Sequence, residues 1–248
     1  MKNIFLSALL LLSTSLVSLA QDTTLADPPS PAQINNPNPF LRMGLSFSPL
    51  LSFFSPDGSA DVIYGDGARF TIKYGLHVDF RLSANPNYYF STGLFLLNTG
   101  GKMVHPYDQT EAEIPLERNG TYRLNYINVP ATFMLRTNEI GYIRYFGRVG
   151  VDLGLNIRAS ADTQDFMTDG GTRVENEVDF SDNVNLFRGA LHLEAGFEYN
   201  VGGTTNLFLS LEWNNGLNNV FHKDYQYYNG SRVKAVSNFV SLNAGVYF

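Results

Sequence analysis

Residues 69–82 read Arg69-Phe-Thr-Ile-Lys-Tyr-Gly-Leu-His-Val-Asp-Phe-Arg-Leu82, and every even position is apolar. The odd positions carry Arg69, Thr71, Lys73, Gly75, His77, Asp79 and Arg81. A side-chain period of two marks a strand with two unlike faces. Charge sits in mid-strand on the polar face, while the apolar face places aromatics near its ends and aliphatics between them. That arrangement suits a strand with hydrocarbon outside and a wet or ion-paired interior.

Working outward from this stretch, seven more segments show the same period: Phe40–Leu51, Tyr88–Thr99, Tyr122–Arg136, Ile143–Arg158, Phe187–Asn200, Leu207–Asn214 and Val236–Phe248. The fifth in chain order is the cleanest. Ile143, Tyr145, Val149, Val151, Leu153, Leu155 and Ile157 alternate with a face holding Arg144, Arg148, Asp152, Asn156 and Arg158. In the fourth, the apolar residues change phase, from Tyr122, Leu124 and Tyr126 to Ile127, Val129, Ala131, Phe133 and Leu135. An inserted residue near Tyr126–Ile127 accounts for this, and so does apolar filling of the interior.

The connections alternate in length. Ser83–Asn87, Thr137–Gly141 and Val201–Thr204 are short, whereas 53–68, 100–120, 159–184 and 216–235 are long. The expectation is therefore an all-β protein, an eight-stranded antiparallel up-and-down transmembrane β-barrel in the cell outer membrane. Short turns face the periplasm and long loops face outward. A hairpin inside one long loop would raise the count to ten strands. A soluble sandwich or lipocalin-like barrel also alternates, but turns its apolar face inward.

The first twenty residues have a different character. Lys2, the apolar run from Ile4 and the Ser18-Leu19-Ala20 ending read as a signal peptide (1–20) cut before Gln21. Residues 21–39, with Pro28, Pro29, Pro31, Pro37 and Pro39, read as an extended Pro-rich periplasmic lead-in. The barrel domain is expected over 40–248. The absence of cysteine excludes disulfides and a lipid-modified Cys. A net charge of −6 argues against nucleic acid as a partner, and a mean hydropathy of −0.11 is what alternation produces.

Within this frame Tyr126-Ile-Asn-Val-Pro-Ala-Thr-Phe-Met-Leu135 resembles the Tyr-Leu-Glu-Ile-Pro strand motif of the PorT-like outer-membrane β-barrel proteins of certain Gram-negative bacteria. Gly93-Leu-Phe and Gly100-Gly-Lys102 are similar to the strand end that precedes that motif, and the terminal Phe248 resembles the residue read by barrel-assembly machinery. Asn128 stands where the family usually has Glu. The resemblance covers about residues 40–248. It implies an outer-membrane barrel, with lipid and the assembly machinery as partners, and some relatives serve a protein-secretion machine.

An eight-stranded barrel has an interior only wide enough for side chains. Asp79, Arg144, Arg148, Asp152, Arg188, His192, Glu194, Glu198 and Glu212 are accordingly candidates for an ion-pair network filling the lumen. Arg42, Arg69, Lys73, Arg81 and Arg158 are expected on the same face, and a proton or ion path through these charges is the functional alternative. His105 and His222 fall in long loops, where a base of a lipid or peptide hydrolase would sit, but no nucleophile elbow, metal spacing or phosphate loop accompanies them. The acidic 159–184 loop, with Arg173 as its one countercharge after Arg158, matches no calcium-loop spacing. Tyr225, Tyr227 and Tyr228 are placed either in a binding surface or over the barrel mouth. The expectation is a non-enzyme without cofactor or metal. Its role is structural or interactive through the outer loops, with an envelope or secretion protein as partner.

Overall fold

The computed structural model of the chain describes residues 40–56, 64–106, 115–167, 170–223, 225–227 and 231–248. The stretches read as a signal peptide and a Pro-rich lead-in lie outside the described residues, as do Tyr228 and Asp169. Eight long strands make up most of the rest: β1 (Leu41–Pro56), β2 (Arg69–Arg81), β3 (Tyr88–Pro106), β4 (Pro115–Arg136), β5 (Ile143–Met167), β6 (Phe187–Gly202), β7 (Thr205–Gly216) and β8 (Ala235–Tyr247). Each pairs antiparallel with its neighbour in sequence. Pairing of β1 with β8 then closes the ring, so this sheet has no free edge in the barrel wall.

The alternation in the sequence becomes the two surfaces of the wall. One outward row runs Trp213–Val240–Leu51–Phe70 across four strands, and another runs Tyr199–Leu207–Val246–Leu45–Leu76. The leucines and most of the aromatics in these rows stay exposed in the isolated chain. Aromatics gather towards the two ends of the belt, with Phe80, Tyr88, Tyr145 and Tyr199 on one side and Phe70, Phe187 and Trp213 on the other. A soluble barrel would bury these side chains. Here the buried face is the polar one, and the soluble alternative is excluded.

Phe40 and Phe248, at the two ends of the barrel, sit with the short turns. The Phe248 N–H donates to Met43 O, and the Arg81 N–H to Phe40 O. The β6–β7 turn needs its glycines, because Gly202 and Gly203 hold φ of 139° and 61°, values that side chains disfavour. Inside the barrel, Phe95 lies across Gly75 on the adjacent strand. A Cβ there would stand 2.7 Å from the Phe95 Cα, so the glycine makes room for the ring.

The structure decides one open alternative and corrects two readings. First, β4 keeps one phase throughout, so apolar filling of the interior is the account that holds. Tyr122, Leu124 and Tyr126 point inward with Asn128, Thr132 and Met134, so the apolar inner residues are filling the lumen. Second, the inserted residue is real but lies across the strand pair, on β5. Asn125 pairs with Arg158 and Tyr126 with Asn156, leaving Ile157 unopposed. Beyond this bulge the inward residues are Ala159, Ala161, Thr163 and Asp165, and Arg158 is turned out to the exposed surface. Third, strands occupy much of the length read as loop. β3, β4 and β5 run 19, 22 and 25 residues, against about 9–11 needed to cross a membrane. Their far ends pair with one another, and the strand Thr172–Asp179 adds to β5, so a small sheet stands beyond the barrel wall.

Candidate functional site

The lumen is the site that the fold builds most completely. Arg42, Lys73, Arg136, Arg148 and Arg188 meet Asp79, Asp152, Glu194, Glu198 and Glu212, and all ten are buried. Five cations face five carboxylates, as a narrow low-dielectric interior demands. They form a chain of contacts along the barrel axis. Nearest the short turns, Arg42 Nη2 and Arg136 Nη1 donate to the two oxygens of Glu198 at 2.9 and 3.0 Å. Arg136 also donates to Tyr89 Oη at 2.9 Å. Asp79 lies between Arg42 at 3.8 Å and Arg148 at 4.0 Å.

Arg148 carries the chain onward, donating to Glu194 Oε2 at 2.7 Å and to Tyr247 Oη at 2.5 Å. Glu194 also contacts Ser210, Asn243 and His192. His192 sits among three carboxylates. Its Nε2 is 3.3 Å from Glu194 Oε2, and its Nδ1 is 3.1 Å from Asp152 Oδ1 and 3.4 Å from Glu212 Oε1. Asn214 Nδ2 donates to Asp152 Oδ2 at 2.7 Å. Lys73, Ser241 and Asn243 all approach Glu212 Oε2. Arg188 ends the series, donating to Asn214 Oδ1 at 2.5 Å and Ser237 O at 3.0 Å.

Apolar clusters bracket this chain. Tyr89, Met134, Phe146, Phe208 and Tyr247 pack near the short turns, where Arg148 lies over the Phe146 ring. At the other end Phe54, Tyr122, Phe180, Phe221 and Tyr225 pack ring against ring with Val184, Val220 and Val233. Tyr225 therefore packs over the mouth. The barrel is filled along its length, which favours a sealed plug over a general pore.

Of the nine sequence candidates, Asp79, Arg148, Asp152, Arg188, His192, Glu194, Glu198 and Glu212 lie in this chain of contacts. Arg144 is buried but turns to Glu139 in the β4–β5 turn. Arg136 is the member that sequence reading missed. It sits at the end of β4 on the phase of Asn128 and Thr132, a phase that the inward Tyr122, Leu124 and Tyr126 of the same strand mask in the sequence. Arg69 donates to Tyr122 O at 2.9 Å near the mouth.

Outside the barrel wall the acidic strand-and-loop region has more partners than its own sequence supplies. Arg118 makes a two-pronged pair with Asp165 at 2.6 and 2.7 Å, and Arg123 pairs with Asp162. The Arg123 guanidinium holds the Asp162 carboxyl below its ordinary value, and the Glu177 N–H that donates to it at 2.8 Å acts in the same direction. Of the two loop histidines, His105 is in β3 opposite Arg118, and the His222 N–H donates to Asn183 O at 2.8 Å.

A closed eight-stranded antiparallel barrel with a greasy exterior and an ion-paired lumen defines an outer-membrane barrel. The chain belongs to the outer membrane protein β-barrel domain family, whose model matches residues 31–222. Its location is accordingly the outer membrane. No curated protein matches the sequence. Among solved structures the chain is similar to Neisserial surface protein A, at 10% identity and a TM-score of 0.43, covering 84% of this chain and 96% of that one. It is also similar to Ail, the attachment invasion locus protein of Yersinia pestis (15%, 0.36, 84% and 98%), and to the outer membrane protease OmpT from Escherichia coli (12%, 0.37, 84% and 96%). Likenesses this distant say nothing about activity.

Proposed function

We propose that this protein is a non-enzymatic interaction protein of the outer membrane, holding a partner through the sheet that stands beyond its barrel wall. The observation that carries this is the strand Thr172–Asp179. It pairs with β5 along one side, and its residues are almost all exposed, Val174 and Val178 among them. An extended partner segment adds to such an edge through main-chain hydrogen bonds, with alternate side chains supplying selectivity. The filled lumen supports the same reading, because it leaves the outer surface as the part free to act. Membrane lipid surrounds the belt, and the assembly machinery meets the chain during insertion.

The test is a photo-crosslinking residue placed at Val174 in intact cells, with Leu211 on the lipid-facing wall as control. A discrete protein adduct at 174 and none at 211 supports the proposal; no adduct at 174, or the same one at both, ends it. A second reading follows the strand motif Tyr126–Leu135: an accessory part of a PorT-like secretion or envelope-assembly machine. Deleting the gene and measuring secreted protein tests this reading, and unchanged secretion removes it.

A further inference from the structure

Three lumen residues on three successive strands converge on one point. Asp152 comes from β5, His192 from β6 and Glu212 from β7, and one ligand atom from each lies within 4.8 Å of the others. Their arrangement is specific. Each carboxylate has one oxygen anchored, Asp152 Oδ2 by Asn214 and Glu212 Oε2 by Lys73, Ser241 and Asn243. The other oxygen of each is turned to His192 Nδ1, at 3.1 and 3.4 Å. Three donors each about 2.1 Å from a common ion in a tetrahedral shell stand roughly 3.4 Å apart, which the two separations from His192 Nδ1 match.

Two further observations point to a ligand. Glu212 is fully buried, yet its Oε1 makes no hydrogen bond and has only the His192 ring nitrogen in ion-pair range, at 3.4 Å. A sealed carboxylate oxygen without a donor is costly unless something cationic satisfies it. The far ring nitrogen of His192 faces the carboxylate of Glu194 at 3.3 Å, the outer-sphere arrangement that orients a metal-bound imidazole. A small cavity lined by Asp152, His192 and Glu212 lies against the group.

We propose that Asp152, His192 and Glu212 bind one divalent transition-metal ion, zinc being the best match to one imidazole and two carboxylates, inside the barrel lumen. The ion ties β5, β6 and β7 together from within. The ten surrounding charges already cancel when His192 is neutral, so the ion arrives as an excess charge. Its affinity is therefore expected in the micromolar range, well short of that of structural sulfur sites. The sequence hid the set because its members are 40 and 20 residues apart on separate strands.

The test uses the whole chain refolded in detergent micelles and dialysed to equilibrium against Zn2+ at a free concentration well above micromolar, with bound metal counted as the excess over the dialysate by mass spectrometry. About one equivalent is expected for the native sequence, and a loss of at least tenfold for His192→Ala and for Glu212→Gln. Asp162→Asn combined with Asp165→Asn, in the acidic outer region, should leave the stoichiometry unchanged. Folded native protein that binds no zinc overturns the proposal, as does zinc that is retained in both lumen variants or lost with the outer pair. Should the lumen variants fail to fold, Co2+ in the native protein decides. Visible bands of nitrogen and oxygen ligation support the site, and the spectrum of aqueous cobalt removes it.

Discussion

Arg148 donates to Glu194 Oε2 at 2.7 Å in the lumen, and neither side chain reaches solvent. Removing one partner strands the other as an uncompensated charge, which costs about 3–5 kcal/mol. Arg148→Met should therefore destabilise the barrel by that amount in urea unfolding from lipid vesicles. Adding Glu194→Gln to Arg148→Met should recover part of the loss. Additive losses from the two substitutions would show that the pair is not coupled.

Adjacent residues on β5 face opposite media. Leu153 is 59% exposed on the outer wall, and Asp152 is 1% exposed in the lumen. Leu153→Arg puts a charge into hydrocarbon and should cost about 2–4 kcal/mol if it lies near the midplane. It should also reduce the fraction inserted into vesicles, as read by the heat-dependent gel shift of folded barrels. Asp152→Asn should leave insertion near the native level. Equal effects of the two would contradict the facing of the strand.

Ile157 is the extra residue of the β5 bulge. Deleting it leaves Asn156 inward, Arg158 outward and Ala159 inward, so both flanking phases survive. The shortened chain should fold. Deleting Val149 instead turns Asp152 towards lipid and Leu153 into the lumen, and should abolish folding. A ΔIle157 chain that fails to fold would mean that the bulge itself is required.

The outer sheet should respond to acid. Asp162 lies below its ordinary range, with Arg123 the leading cause. A carboxyl depressed in the folded state contributes stability that is present above the unfolded value and lost as pH falls through the folded one. That window lies below about pH 4. Amide exchange over Thr172–Asp179 should rise there, because the Glu177 N–H loses its charged acceptor. Asp162→Asn should show the faster exchange at every pH. Identical pH profiles for the two proteins would remove Asp162 as the cause.

The barrel was legible because its two faces have opposite chemistry along the clean strands. Leu153 beside Asp152, or Leu193 beside Glu194, reveals facing without any structure. Legibility failed where that contrast fades. On β4 the lumen is packed with Tyr122, Leu124 and Tyr126, so inside and outside look alike and Arg136 could not be placed. Past Ile157 one added residue reverses the rule, which put Arg158 on the wrong face. The strand ends beyond the membrane carry polar side chains on both faces, Thr163 and Asp165 on one and Asp162 and Gln164 on the other. Residues such as Arg118, Asn119 and Thr121 then carry no alternation, and strand reads as loop. Arg123 and Arg118 could not be assigned to Asp162 and Asp165 for the same reason, since cross-strand register is invisible without the periodic signal.

The seam between Leu41–Pro56 and Ala235–Tyr247 joins the first and last strands of the barrel. Ring closure must therefore wait for Ala235–Tyr247 to be available, and without that strand the sheet is open, with two unpaired borders. Contacts of such long sequence separation are slow to form. Losing Ala235–Tyr247 would thus remove the clasp, and leave in place of a sealed cylinder a sheet whose bare borders invite aggregation.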